Sequence, residues 1–312
     1  MIYAVWIPLL MPFLAVPAAR RLADALTPVR AVLLLTVTGV GLALCGLITL
    51  VLLVVPGATR LSVVHALAEL VRPLAGAAPA AAVPLSAGAL ALLLTCAVAV
   101  TRAARRHWRE LGAAPPSDGP VDGELTVLRD SRPDAYALPG RPGTPGRIVV
   151  TTGMLRALGP AEREALLAHE RAHLVGRHHL FAAVAEAAAL CHPALRALCA
   201  PMRYALERWA DEAAASAVGD RRIAARAIGR AALATRAAAS APSPRPPAAL
   251  AAVAGPVPRR VAALLGHGSV RPRTGRAAAA VLLVCVAVSG AAALDATSDL
   301  HSGIEAAQSG HR

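Results

Sequence analysis

Residues 159–179 read GPAEREALLAHERAHLVGRHH. Gly159 and Pro160 make a helix start: proline suits the first helical position, whose N–H has no partner in any case, and Glu162 and Glu164 bring negative charge to the positive end of the helix dipole. The pattern predicts a helix from Pro160 to about Arg177. His169 and His173 are four residues apart on it, so their imidazoles project from one face, one above the other. Two ring nitrogens so placed can reach one zinc ion at about 2.0–2.1 Å. Glu170, beside the first imidazole, is positioned as a general base for an attacking water rather than as a ligand, the arrangement of an H-E-x-x-H motif.

A catalytic zinc site needs a third protein ligand and an open fourth position. The candidate is Glu207 in ERWADE (207–212), on a helix expected over about 194–218 after Pro193. Asp211, one turn further on, can accept a hydrogen bond from a ligand histidine and fix its tautomer. A helix face carrying solvated histidines is the plainer alternative. It does not account for the helix start, the strands that precede it and the downstream E-x-x-x-D together.

Upstream, LTVL (125–128), AYAL (135–138) and RIVVTT (147–152) read as strands, the last two separated by the turn-rich PGRPGTPG (139–146). The strand at 147–152 is expected to offer an edge to an extended substrate. Breaker-rich linkers, GAAPPSDGPVDG (112–123) and ASAPSPRPP (239–247), flank this region, and RRVAALL (259–265) suits a short helix. The apolar LFAAVAEAAAL (180–190) is too short to span a bilayer and is interrupted by Glu186; it packs in the domain core or rests on the bilayer surface.

Further out, four stretches approach the roughly twenty apolar residues that a bilayer core requires: 2–19, 32–55, 83–100 and 277–294. The first contains Pro8, Pro12 and Pro17, and its arginines, Arg20 and Arg21, follow the apolar run instead of preceding it. A retained anchor is therefore expected rather than a cleaved signal peptide. Arg20, Arg21 and Arg30 follow span one, Arg102, Arg105, Arg106 and Arg109 follow span three, and Arg271, Arg273 and Arg276 precede span four. The loop between spans two and three has only Arg60 and Arg72, and the tail carries Asp295, Asp299 and Glu305. The positive-inside rule then puts both termini outside and residues 102–276 in the cytoplasm of a multi-pass cell-membrane protein. The expected division is 1–101, three spans with loops; 102–276, a cytoplasmic domain; 277–295, the fourth span; and 296–312, a short extracytoplasmic tail.

Composition agrees. The chain is 56% hydrophobic with a mean hydropathy of +0.54, well above that of soluble domains. The +13 formal charge comes from arginine alone, since no lysine occurs. Those arginines flank apolar runs and are not interleaved with stacking aromatics, so direct nucleic-acid binding is not expected. Cys45, Cys96, Cys191, Cys199 and Cys285 include no C-x-x-C pair, and neither a disulfide framework nor a cysteine metal site is expected.

At DAYALPG, RIVVTTGML, LLAHERAHLVGRHH, HPAL, ERWADE and RRVAALL the chain resembles the gluzincin membrane peptidases, most of all the BlaR/MecR-type sensor-transducers, and less closely the HtpX-like and CAAX prenyl proteases. The resemblance implies a mainly α membrane protein of four transmembrane helices with a cytoplasmic α+β gluzincin-like zinc peptidase domain between spans three and four. It makes His169, His173 and Glu207 ligands of Zn2+ and Glu170 the catalytic base, with Asp211 supporting a ligand. The family often has cysteine before that aspartate; here Ala210 stands there. Only residues 295–312 follow the last span, so the resemblance does not extend to an extracellular penicillin-binding sensor domain. It implies a zinc-dependent endopeptidase acting on a cytoplasmic protein, such as a winged-helix transcriptional repressor, in regulated proteolysis or signal transduction. The alternatives are an HtpX-like quality-control protease and a zinc-bound, non-catalytic receptor or scaffold.

Overall fold

Residues 147–151 are nearly all β-branched, and such side chains fit a pleated surface packed on both faces. They form β4 (Arg147–Thr151) in the middle of a four-stranded sheet with β1 (Val121–Asp122), β2 (Leu125–Leu128) and β3 (Ala135–Leu138), ordered β1-β2-β4-β3. β4 runs parallel to β2, pairing Ile148 with Leu125, and antiparallel to β3, pairing Val150 with Ala135. The computed structural model describes residues 4–58, 79–111, 121–141, 143–238, 256–266 and 272–309. Most of 112–123 and all of 239–247, the two expected linkers, lie outside these residues.

The strand expected to present a substrate edge is therefore an interior strand. Both sides of β4 are hydrogen-bonded to neighbours, and the sheet ends at β1 and β3. The turn at 139–146 returns the chain from β3 to β4 as a hairpin, while β2 pairs with β4 from the other side.

The rest is helical: α1 (Ile7–Ala25), α2 (Pro28–Ala58), α3 (Pro79–Glu110), α4 (Thr152–Ala157), α5 (Pro160–Val175), α6 (His178–Cys191), α7 (Arg196–Val218), α8 (Arg221–Ala237), α9 (Val257–Leu264) and α10 (Pro272–Ser309). Thr151 ends β4 and caps α4, its Oγ1 accepting from the Met154 amide at 3.1 Å. Glu162 closes the start of α5, its Oε2 accepting from the Gly159 amide at 2.9 Å, and the same carboxylate holds Arg230 of α8 at 2.8 Å. Asp220 caps α8 by accepting from the Arg222 and Ile223 amides. A core of Ala135, Val150, Met154, Leu158, Leu166 and Ala231 seals the sheet, α4, α5 and α8 together. Helix α8, absent from the expectations above, was legible in Ala224, Ala227, Ile228 and Ala231, which recur at helical spacing and are buried.

Among the described residues, three helices are long and apolar enough to cross a membrane: Pro28–Val55, Val83–Glu110 and Arg273–Ser302. Leu90, Leu92 and Leu94 of α3 remain 46%, 47% and 58% exposed, an apolar surface that suits lipid rather than water. The fourth expected span is not among them. α1 has 19 residues, contains Pro12 and Pro17, and carries Arg20, Arg21 and Asp24 in its second half. Ala15, Ala18, Ala19 and Leu22 bury that helix in a cluster shared with α2, α6, α7 and α10.

Gly153 sits against the backbone of Ser131 and Arg132, where an added Cβ would run into the Ser131 carbonyl, whereas nothing lies near Gly229 in α8. Gly153→Ala should lower unfolding stability by about 1–3 kcal/mol through overpacking. Gly229→Ala should raise it by up to about 1 kcal/mol through helix propensity. Denaturant titration of the two variants side by side checks the pair.

Candidate metal centre

Helices α5 and α7 meet face to face with polar groups where apolar ones are usual. His169, Glu170 and His173 of α5 and Glu207 and Asp211 of α7 are all at most 2% exposed. Burying so many ionisable groups costs heavily unless each is paired or holds a metal, and their partners define the site.

One nitrogen from each histidine and a Glu207 carboxylate oxygen come together. His169 Nε2 lies 3.2 Å from His173 Nε2, His169 Nε2 is 3.7 Å from Glu207 Oε2, and His173 Nε2 is 3.6 Å from Glu207 Oε1. Ligands about 2.0–2.1 Å from a tetrahedral ion stand roughly 3.3–3.4 Å from each other; the two imidazole nitrogens are close to that separation, and each lies a few tenths of an ångström further from a different oxygen of Glu207. All three residues are buried, and no other group of described His, Cys, Asp and Glu residues has this form.

The other nitrogen of each imidazole is also engaged. His169 Nδ1 pairs with Asp211 Oδ1 at 3.0 Å. His173 Nδ1 is 2.7 Å from Nδ1 of His178, the first residue of α6. With His173 Nε2 facing the cluster, its Nδ1–H donates and neutral His178 accepts. Arg177, at φ 48° in the left-handed region, makes the sharp turn from α5 into α6 that brings His178 back to α5. Trp209 of α7 closes over the His178 ring at a centroid separation of 4.7 Å.

Behind the carboxylates stands Arg260 from α9, with no exposed surface. Its guanidinium donates to Asp211 from Nε at 2.8 Å and from Nη2 at 2.5 Å, and reaches Glu207 Oε2 through Nη1 at 2.8 Å. Arg259, its neighbour in sequence, points the other way, pairing with Asp24 of α1 and lying over the Tyr204 ring at 4.2 Å. The RRVAALL segment was legible as a helix, but which of its two arginines faces inward was not.

The electrostatics follow from this packing. Desolvation would disfavour the Asp211 carboxylate, but Arg260 and His169 outweigh it and hold its pKa below the usual range. Desolvation likewise opposes charge on Arg260, and Glu207 and Asp211 nevertheless raise its pKa. For His169 burial again opposes the charged form, yet the Asp211 and Glu207 carboxylates raise the pKa to about 9. His173 and His178 are held down, His178 to about 3, first by burial and then by the neighbouring imidazoles. With both imidazoles neutral, as metal ligation requires, the three buried carboxylates Glu170, Glu207 and Asp211 face one buried guanidinium, which leaves two negative charges in excess. A divalent cation supplies that balance. Two imidazole nitrogens with one carboxylate oxygen form a donor set suited to zinc, and the site fits the ion in charge, spacing and chemistry.

Each site residue expected from the sequence thus lies in one cluster: His169, His173 and Glu207 as a donor triangle, Asp211 on His169, and Glu170 fully buried on the same helix and acting electrostatically on Arg260. His178 lies behind His173, His179 stacks on His107 of α3 at 5.8 Å, and Tyr204 sits beneath Arg259. The five cysteines are free, and none belongs to the cluster.

Residues 101–203 match the model of Peptidase family M48. The matched stretch includes His169, Glu170, His173 and His178 and supports a metallopeptidase; it ends before Glu207, Asp211 and Arg260, which enter the site through the fold alone. Neither a curated protein nor a solved structure gives a match.

Removing Arg260 leaves two buried carboxylates uncompensated. Arg260→Leu should destabilise the metal-free chain by about 3–5 kcal/mol and, with Asp211 no longer clamped, weaken metal affinity about 10–100-fold. Denaturant titration and competition with a chelating dye measure the two effects separately. His178→Ala should lower affinity in the same range with a smaller effect on stability.

Proposed function

We propose that this chain is a zinc-dependent membrane endopeptidase that hydrolyses peptide bonds of a cytoplasmic protein. The observation that carries the reading is the buried triangle of His169, His173 and Glu207 with Glu170 between the two histidines in sequence on the same helix. A structural zinc site needs no carboxylate beside its ligands, which sets aside the non-catalytic receptor or scaffold. The match to Peptidase family M48 supports the hydrolytic class.

Bound zinc supplies a Lewis acid that polarises a peptide carbonyl and makes water more acidic. The chain's own residues do the rest. Glu170 takes the proton of the attacking water and returns it to the leaving amine. Asp211 and His178 fix the tautomers and ring orientations of His169 and His173, and Arg260 holds the Glu207 carboxylate in place. An extended substrate adding to the sheet would do so at β3, the end strand, which packs beside α5.

In this reading α1 joins the three apolar helices as a fourth crossing, both termini face outward, and the domain formed by residues 102–276 lies in the cytoplasm. The biological role is regulated proteolysis in the manner of the BlaR/MecR-type peptidases, with a transcriptional repressor as the class of substrate. Quality control of membrane proteins, as in the HtpX-like proteases, is the second reading; the same site and the same family match support it equally, and substrate range separates the two.

Glu170→Ala in reconstituted full-length protein should keep one equivalent of zinc by elemental analysis while cleavage of labelled casein falls at least about 10²-fold. Cleavage at the native rate would refute the assignment. Glu207→Ala should lose the metal; full retention would place the third ligand elsewhere.

A further inference from the structure

Helices α6 and α7 form a hairpin whose tip, Cys191–Arg196, is not near the sheet. Its contacts lie well inside the membrane-spanning helices. A side-chain carbon at Gly39 of α2 would sit 3.7 Å from both Ala188 of α6 and Leu198 of α7. His192 Nε2 donates to the Leu9 carbonyl of α1 at 3.0 Å. Cys96 Sγ of α3 lies 3.6 Å and 3.7 Å from the Leu190 and Cys191 carbonyls.

The first arginine to border each apolar run on the domain's side sets a reference level: Arg20 on α1, Arg30 on α2 and Arg102 on α3. At a rise of 1.5 Å per residue, the contacted residues lie about 16 Å (Leu9), 13 Å (Gly39) and 9 Å (Cys96) beyond it. One leaflet of hydrocarbon is about 15 Å thick. Three helices thus independently place the hairpin tip at leaflet depth. Sliding the bilayer towards the far ends of the helices does not remove this, because the apolar part of α3, residues 83–100, is barely long enough to cross and leaves no slack.

The hairpin's composition fits that depth. Residues 180–202 contain only two charged side chains, Glu186 and Arg196. Both are exposed and line one groove together with Arg102 and Arg106 at the end of α3, within reach of the boundary for side chains of their length. Leu180, Val184, Pro193 and Ala200 are exposed as well.

We propose that α6 and the first turns of α7 form a re-entrant hairpin embedded in the leaflet on the domain's side, with lipid acyl chains as its partner. The proposal rests on the membrane-spanning reading of α1, α2 and α3. It also sets the height of the metal centre. His178, at the other end of α6, is about 21 Å from the tip along the helix, which leaves the His173–His178 pair roughly 5–12 Å above the hydrocarbon boundary. Peptide bonds in segments lying close to the membrane plane are then the accessible substrates.

The test places the photoreactive residue p-benzoylphenylalanine at Pro193, Val184 or Ala200 of the otherwise native full-length chain in phosphatidylcholine–phosphatidylglycerol liposomes, with Leu44 of α2 and Leu233 of α8 as references, both exposed. Mass spectrometry reads covalent phospholipid adducts. Adducts are expected at 193, 184, 200 and 44 and not at 233. Adducts at 44 but at none of the hairpin positions would overturn the hairpin while leaving the spans intact. Their absence at 44 as well would overturn both. The readout does not involve peptide hydrolysis, so an inactive metal centre would not affect it.

Discussion

The Arg260 guanidinium is the contact on which the rest of the site depends. Glu207 and Asp211 stand one turn apart on α7 and point into a dry interior against α5. Two carboxylates at that spacing repel each other, and each loses its hydration on burial. A planar guanidinium with several donors in a fixed fork bridges two carboxylates in a way that a lysine ammonium does not. In doing so it orients one Asp211 oxygen toward His169 and leaves Glu207 beside both histidines. Arg260 reaches α7 from α9, more than forty residues beyond, so a distant segment of the chain holds the carboxylate corner of the metal triangle.

Local chemistry supplies the remaining parts. Pro160 and Glu162 set where α5 starts, and so which face His169 and His173 share. The left-handed Arg177 ends that helix and turns His178 onto the back of His173. Both imidazoles are held at the nitrogen remote from the cluster, one by an anion and the other by a neutral ring. Burial opposes charge on both rings, and the Asp211 and Glu207 carboxylates reverse this at His169, so the pKa shifts are opposite, up for His169 and down for His173.

Much of this was legible in the sequence, because it depends on short spacings. H-E-x-x-H puts two imidazoles on one helix face, and E-x-x-x-D puts a ligand and its neighbour's partner on another, whatever the fold around them. The three strands of 125–128, 135–138 and 147–151 follow from β-branched and aromatic runs between turn residues. What the sequence left open depends on contacts between distant segments. Strand order made residues 147–151 an interior strand. The inward turn of Arg260 rather than Arg259 is decided by the partners each meets, Asp211 for one and Asp24 for the other. Two interior prolines and a length of 19 residues set α1 apart from the three apolar helices of 31, 32 and 38 residues, yet its alanine-rich face packs among them. The apolar stretch 180–190 is too short to span, and its place along α2 becomes clear only once α7 returns antiparallel to it.

The most direct test of the account is X-ray absorption at the zinc edge on the purified full-length chain. It predicts one tightly held zinc with two imidazole ligands and light-atom oxygen neighbours at about 2.0–2.1 Å. A sulfur shell near 2.3 Å, or a chain that retains no zinc while correctly folded, would contradict it.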